Sequence, residues 1–485
     1  MQAGITIIGL GPGDPNLLTR QAWEWLNHIE EVYLRTSQHP TVGAFPQGLK
    51  QHSFDYFYEK GEKFEWVYEQ IIAAVLELGR RPEGVTYAVP GHPFVAETTG
   101  PEIVRRAGKE GIPVRVMEAV SFLEPTFSAL KIDPYPDLIL VDALDLGRVN
   151  HPLFPPTAPA LIAQIYSRQI AAEVKLTLTA VYPDEYPVRL VHAAGTPDEV
   201  VEDLPLYEID RSRLTGLLTC LYVPPMPSDS SFEAFQELVA HLRAPDGCPW
   251  DREQTHQSLR TSLLEEAYEV LAALDADDPE SLREELGDLL LQVVLHAQIA
   301  AETGEFNMVD ILQGIHRKIV FRHPHVFGNL KVEGTDRVLL NWEKLKAEER
   351  KTNGKEARSG ILDGVPGVYP ALSQAQAYQE RVRRVGFDWS EIEPVIRKVH
   401  EELDEVLSAP DEEHRADEVG DLLFAVVNLA RWFKVDAESM LRSTNQRFKR
   451  RFGHVEKRAQ ETGRSLGEMS LDEMDEFWEE AKSLE

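Results

Sequence analysis

Between Leu263 and Gln292 the chain carries two pairs of carboxylates spaced three residues apart, Glu266 with Glu269 and Glu285 with Asp288. Residues at that spacing share one face of a helix. Glu266 borders an apolar stripe of Leu259, Leu263, Val270 and Leu274, and Glu285 borders one of Leu282, Leu286, Leu289 and Val293. A DADDPES turn separates the two segments, so the spacing predicts an antiparallel helical hairpin with four acids at the edge of a buried seam. Such crowding costs several kcal/mol unless a cation is present. Oxygen-only ligands suit Mg²⁺, which keeps some of its waters, and a carboxylate-held Mg²⁺ suits phosphate esters and anhydrides.

The pattern recurs. Glu402 and Glu405 in EELDEVL answer Glu266 and Glu269 in EEAYEVL, and Glu418 and Asp421 in EVGDLLF answer Glu285 and Asp288 in ELGDLLL. KIVFRHPHV is echoed by RFKRRFGHV, matching Lys318 with Arg447 and Arg322 with Arg451. NWEKLKAEE is echoed by FWEEAKSLE, matching Trp342 with Trp478. One unit of about 115 residues is duplicated, too long a period for a solenoid. An isolated ExxE on a helix is ordinarily a solvated face; two facing pairs, duplicated with their basic and aromatic followers, are not explained that way.

Lys318 and Arg322, and Arg447 and Arg451, lie at i, i+4 and form cationic faces suited to phosphate oxygens. Trp342 and Trp478 fit core or dimer packing at least as well as base stacking. Glu265 and Glu401 neighbour the ligands and are candidates for orienting or deprotonating a metal-bound water, on equal terms with the ligands themselves. The His323-Pro324-His325 run, with no third nearby ligand, reads as a helix end or phosphate contact. His296 reads as a satisfied core histidine, and Trp250 as filling a packing slot before the first helix.

The elements that must position these groups follow from composition and pattern. A chain of 485 residues, 43% hydrophobic and 27% charged, has material for about three domains. A net charge of −31 argues against nucleic-acid polymers and anionic membranes as partners, but not against a small anion drawn to a local cation. Two cysteines, Cys220 and Cys248, make no disulfide framework and fit a reducing compartment. The start MQAGITIIGLGPG has no basic leader and no apolar run reaches membrane-span length, so a cytoplasmic location is expected.

Residues 1–226 read as α/β. Ile5 to Ile8 is a strand running into GLGPGDP and then a helix; Val85–Val89, Val114–Met117 and Leu138–Val141 are further strands, with helices around Trp66–Leu78 and Glu102–Lys109. Three strands end in GLGPGDP, PGHPFVAETTG and AVSFLEP, placing three ligand-approach turns on one sheet edge. Beyond them the β-rich stretch predicts a partly antiparallel sheet, with a short strand at Tyr207–Arg211. PPMPSDSS, 224–231, marks the main boundary, and RKTNGKEARSG, 350–360, separates the helical copies at 232–349 and 361–485.

The N-terminal motifs GLGPGDPNLLT, PGHPFVAE, AVSFLEP and QIYSRQIAAEVKLTL resemble those of the S-adenosylmethionine-dependent tetrapyrrole (corrin/porphyrin) methylases over residues 3–224. The resemblance implies two α/β lobes with the cofactor between them, contacted near Pro12, Gly91, His92, Ser121, Phe122, Gln164, Tyr166 and Ala194. One departure is that the family's GDP reads Gly91-His92-Pro93 here.

GCPWDREQTHQSLRTSLLEEAYEVLAALD, SLREELGDLLLQVVLHAQ and FRHPHVFG resemble the MazG nucleoside triphosphate pyrophosphohydrolases, twice in tandem over 232–485. That resemblance implies an all-α bundle, a homodimer, nucleotide contacts at Arg447, Arg451 and Trp478, and hydrolysis of an NTP to NMP and pyrophosphate. The expectation is therefore a multidomain chain, a two-lobed α/β methylase-like domain followed by all-α MazG-like bundles. The more cationic RFKRRF segment favours the second copy as the stronger site. Rival readings are a working methyltransferase with accessory helices, and a non-catalytic scaffold.

Overall fold

The computed structural model describes residues 4–484 apart from residue 62 and, between 331 and 359, all but Gly334, Val338, Asn341, Trp342 and Leu345. The polar break at 350–360 and the domain edge at 349 therefore lie outside the described residues, except for Gly360. The chain divides into two compact units, Met1–Cys248 and Pro249–Glu485.

In the first unit β1 (Ile5–Gly9), β2 (Glu31–Leu34), β3 (Lys50–Ser53), β4 (Val85–Val89) and β5 (Val114–Met117) form a sheet in the order β3-β2-β4-β1-β5. All its pairings are parallel. The centre of a parallel sheet is buried on both faces, which is why β1 and β4 are mostly apolar runs, while the edge strand β3, Lys50–Ser53, is polar and mostly exposed. One face meets helices α1 (Phe64–Gly79) and α2 (Thr99–Glu110) through Ile5, Ile7, Ile71, Val75, Tyr87 and Ile103. The other buries Ile8, Leu10, Leu26, Leu34 and Met117. Because β1, β4 and β5 are parallel neighbours, their three glycine-containing or AVSF turns leave the sheet at one end.

Helix α3 (Leu123–Leu130) leads to the second sheet, β6 (Ile139–Asp142), β7 (Ala160–Ala163), β8 (Pro187–His192), β9 (Val200–Pro205) and β10 (Thr219–Val223), ordered β6-β7-β10-β8-β9. Only β6 and β7 pair in parallel; the rest are antiparallel. Helix α4 (Arg168–Leu178) covers it. The strand expected at Tyr207–Arg211 is instead a 3₁₀ turn, Leu206–Arg211. Leu206 and Ile209 are both fully buried. Residues three apart align in a 3₁₀ helix but face opposite ways on a strand, so only the helical turn buries both. Ser231 caps the last helix of this unit, α5 (Phe232–Arg243), accepting the Ala234 N–H at 3.1 Å.

The second unit is helical. Helices α6 (Arg260–Ala276) and α7 (Pro279–Thr303) form the expected hairpin, with α8 (Met308–Arg322) next along the chain. Asp277 takes the left-handed conformation that ends α6. Asp278 then caps α7 by accepting the Glu280 N–H at 3.0 Å, with Pro279 in the first turn. After α9 (Ala371–Arg383), the hairpin recurs as α10 (Ile392–Ser408) and α11 (Glu412–Trp432), with Asp411 as the cap of α11. Helices α12 (Ala437–Glu461) and α13 (Leu471–Ser483) close the chain around Val455, Ala459 and Ala481. The two copies touch where the Arg442 guanidinium on α12 lies 5.2 Å from the Tyr268 ring on α6.

No helix among the described residues is long and apolar enough to cross a membrane. Trp250 fills no packing slot; it is 62% exposed. Leu221, fully buried at the centre of the second sheet, has β7 and β8 on either side. Leu221→Ala is expected to destabilise the first unit by about 2–5 kcal/mol, checked by chemical denaturation of the whole chain followed by near-ultraviolet circular dichroism.

Candidate metal centres and an adjoining cavity

The hairpin geometry brings three of the four carboxylates in each copy to one point. Ligand oxygens of Glu266, Glu285 and Asp288 lie within 4.8 Å of one another, as do those of Glu402, Glu418 and Asp421. The fourth members, Glu269 and Glu405, fall outside these trios. Each still lies near enough to hydrogen-bond its helix neighbour, Glu266 or Glu402. The trios are oxygen-only and include half-exposed and exposed groups, a donor set that fits a hard divalent cation retaining water.

The electrostatics match. Partial burial, followed by repulsion from Asp288, Glu269 and Glu285, pushes the Glu266 carboxyl above its ordinary range. Glu285 is raised by burial and by Glu269, Glu284 and Asp288. Glu405 is raised by burial and by Glu402 and Glu418.

The copies differ in one group that the carboxylate pattern did not bring out. Lys398, one turn before Glu402, places Nζ 2.7 Å from both Glu401 and Glu402. Its hydrogen bonds to Glu401 and then Glu402 hold the ammonium charged well above the usual lysine range. The first copy has Ser262 at the matching place. The i, i+4 spacing of Lys398 and Glu402 was available in the sequence as the signal. Of the candidate bases, Glu401 is thus engaged by Lys398, and Glu265 is exposed on α6.

A cavity of ≈ 570 Å³ opens beside the second trio, with Glu402, Asp421 and Lys398 in its wall. The rest of the lining is mostly apolar and aromatic, including Phe387, Trp389, Val395 and Phe424, with Gln379, Asn428 and Arg431 as polar points. Apolar walls with a few convergent polar groups are the usual make-up of a small-molecule site.

The basic and aromatic followers sit elsewhere. Arg451 lies 5.7 Å from the Trp478 ring, which also packs on Phe448 at 5.2 Å, and neither Arg451 nor Trp478 lines the cavity. Arg447 donates to Thr444 Oγ1 at 2.9 Å on its own helix. Arg322 lies 5.3 Å from the Trp342 ring, and Lys318 is exposed one turn earlier on α8. His323 ends α8, its ring nitrogen 2.7 Å from the Ile319 carbonyl, as a helix-end histidine should. His296 is only half satisfied: Nδ1 meets His256 Nδ1 at 2.8 Å while Nε2 is buried without a partner.

In the first unit the residues expected around a cofactor come from loops that meet. Gly11 bridges Gly91, and a side chain at Gly195, next to Ala194, would meet Pro12. Phe122 and Ala194 pack into one cluster, while Tyr166 packs on the neighbouring core of the same lobe. Gln164 and Ala193 both adopt positive φ, and Gly91 does so facing open space. Ser121 donates to Glu124 at 2.6 Å and accepts the Leu123 N–H at 2.9 Å, fixing its loop. His92 approaches Glu118 at 3.1 Å. A strained, close-approach rim with open space at Gly91 fits an extended ligand laid along the backbone.

The raised carboxyls set a pH dependence. An acid whose folded pKa exceeds its unfolded value binds more protons when folded, so its contribution to stability falls as pH rises through that interval. A divalent cation removes that burden. Mg²⁺ is therefore expected to raise the thermal midpoint more at about pH 7.5 than at about pH 4.5, because protons compete with the cation for the raised carboxyls at the lower pH, as calorimetry would check.

Residues 4–210 match the family model of Tetrapyrrole (Corrin/Porphyrin) Methylases, and residues 254–327 match that of the MazG nucleotide pyrophosphohydrolase domain. The chain is 43% identical over 498 aligned positions to a Bacillus subtilis (strain 168) protein named "Uncharacterized protein YabN", covering 100% of this chain and 99% of that one. It is 44% identical to the Thermotoga maritima nucleoside triphosphate pyrophosphohydrolase/pyrophosphatase MazG, over 52% of this chain and 95% of the relative. It is also 44% identical to the Escherichia coli (strain K12) nucleoside triphosphate pyrophosphohydrolase, over 51% and 95%. Among solved structures, a Thermus thermophilus uroporphyrin-III-C-methyltransferase aligns at 24% identity and TM-score 0.37, covering 46% of this chain and 94% of that one. The chain belongs to the MazG family, with a tetrapyrrole methylase domain preceding its MazG half.

Proposed function

We propose that this chain is a Mg²⁺-dependent nucleoside triphosphate pyrophosphohydrolase, converting an NTP and water to NMP and pyrophosphate, and that it serves to clean or adjust the nucleotide pool. The observation that carries the reading is the convergence of Glu402, Glu418 and Asp421, with Glu402 and Asp421 in the wall of a cavity. These three are the metal's holders in the second copy, and Glu266, Glu285 and Asp288 in the first, with Glu269 and Glu405 completing each set. A divalent cation bound there supplies charge neutralisation for the triphosphate and acidifies a bound water.

The chain's own groups divide the remaining work. Lys398 balances the buried Glu402 in the absence of metal and, released from it, is placed to meet a phosphate oxygen. Glu401 and Glu265 are candidates to orient the attacking water. Lys318, Arg322, Arg447 and Arg451, with Trp342 and Trp478, form cationic and aromatic faces for the outer phosphates and the surroundings of the substrate. Arg442 seated against Tyr268 brings the second copy's basic helix to the first copy's hairpin, so a basic group for the first trio can come from the other copy. Exposed apolar residues on α8, among them Val309, Leu312 and Ile315, support a homodimer through the helical half.

The second copy is the stronger site because its trio adjoins the cavity and carries Lys398. Glu402→Gln is expected to lower pyrophosphate release from a panel of NTPs with Mg²⁺ by about 100-fold or more, and Glu266→Gln by less than about tenfold. Equal loss in both would make the copies equal partners; no loss in either would overturn the assignment.

A second reading concerns the first unit. The meeting of the Pro12, Gly91, Ser121, Gln164 and Ala194 loops supports binding of S-adenosylmethionine, with methyl transfer as a further activity. Calorimetric titration of the whole chain with S-adenosylmethionine is expected to show saturable binding. A bulky Gly91→Val substitution, strained at positive φ and filling the open space there, is expected to weaken it by about tenfold or more.

A further inference from the structure

The cavity beside the second trio contains an unmet demand. Gln379 is 6% exposed and lines the cavity. Its Nε2 donates to the Phe424 carbonyl at 2.8 Å, which fixes the amide orientation and leaves Oε1 buried with no hydrogen-bond partner. A buried carbonyl without a donor is costly, and a ligand N–H is the natural remedy.

A second amide is oriented just as firmly. Arg431 Nε donates to Asn428 Oδ1 at 2.9 Å, and Arg431 itself is held by Asp388 at 2.7 Å. With its oxygen engaged, Asn428 has its NH₂ to offer the cavity that it lines. Gln379 thus supplies an acceptor and Asn428 a donor. Phe387 and Trp389 add aromatic wall.

The distance from the metal trio suits a nucleotide. Asn428 lies seven residues after Asp421 on α11, two turns along the same face and about 10 Å at 1.5 Å per residue. That is the reach from a metal-bound phosphate across a ribose to the far edge of a base.

Resting on the pyrophosphohydrolase reading, we infer that Gln379 and Asn428 read the hydrogen-bonding edge of the substrate's nucleobase, making them the specificity-determining residues of the second site. An acceptor and a donor in fixed order distinguish base edges by type. A keto base offers its ring N–H to Gln379 and its exocyclic oxygen to Asn428. An amino base carries the opposite order on that edge, a ring nitrogen that accepts and an exocyclic NH₂ that donates, so it meets both amides only with the base turned over about the edge. One of these poses matches the metal-bound phosphates better, so substrates sort by edge and not by ring size.

The test is kcat/KM for GTP, UTP, ATP and CTP with Mg²⁺, using the full chain with Asn428→Asp, which removes the donor, and with Gln379→Met, which removes the acceptor, each checked for an unaltered thermal midpoint. GTP and UTP are expected to separate together from ATP and CTP. Each variant is expected to change the keto-to-amino ratio by about tenfold, the loss of one hydrogen bond. Ratios that follow purine against pyrimidine, or that both folded variants leave unchanged, would overturn the inference while leaving the hydrolase reading intact. No pyrophosphate from any nucleotide with the unaltered chain would instead remove the reading beneath it. Should one variant fail to fold, the other decides the matter.

Discussion

The helical half depends on a repulsion. Two helices that would pack well as an apolar hairpin carry carboxylates on the border of their seam, and folding forces three of them within 4.8 Å in each copy. Such a cluster is tolerated where a cation compensates it, so the hairpin's stability and its chemistry are linked through one electrostatic constraint. The second copy answers part of that constraint from within, by setting Lys398 against Glu402, where the first has Ser262 at the matching place. The duplicated scaffold thereby yields two clusters with different internal compensation.

Around that constraint the rest of the unit is a positioning device. The Asp278 and Asp411 caps fix where the second helix of each hairpin begins, and with it the register of Glu285 against Glu266 and of Glu418 against Glu402. Beyond Asp421, the same helix carries Ala425, whose small buried side chain leaves room for the cavity, and Asn428 at its far end. The first unit follows a different logic: a parallel sheet gathers its ligand-approach loops at one edge, and a mostly antiparallel sheet contributes the Gln164 and Ala194 loops.

Periodicity exposed both hairpins and the parallel sheet, because each is set by local spacing that any reader of the chain can count; it offered four carboxylates in each hairpin, of which the fold gathers three. The miss at Leu206–Arg211 arose because a short run of apolar and charged residues fits a strand or a 3₁₀ turn equally, and burial of Leu206 with Ile209 decided it. The cavity was invisible because Gln379, Asp388 and Asn428 come from three separate segments, with nothing in their spacing to unite them. Trp478, conspicuous in the repeat, sits against Phe448 and Arg451 and not in the cavity wall. Trp250, an aromatic read as packed, lies exposed.

The most direct test of the central claim is the identity of the products. Phosphorus NMR of GTP incubated with Mg²⁺ and the full chain should show guanosine monophosphate and pyrophosphate appearing together, and neither should form appreciably with Glu402→Gln. Release of a nucleoside diphosphate and orthophosphate, or undiminished turnover by Glu402→Gln, would contradict it.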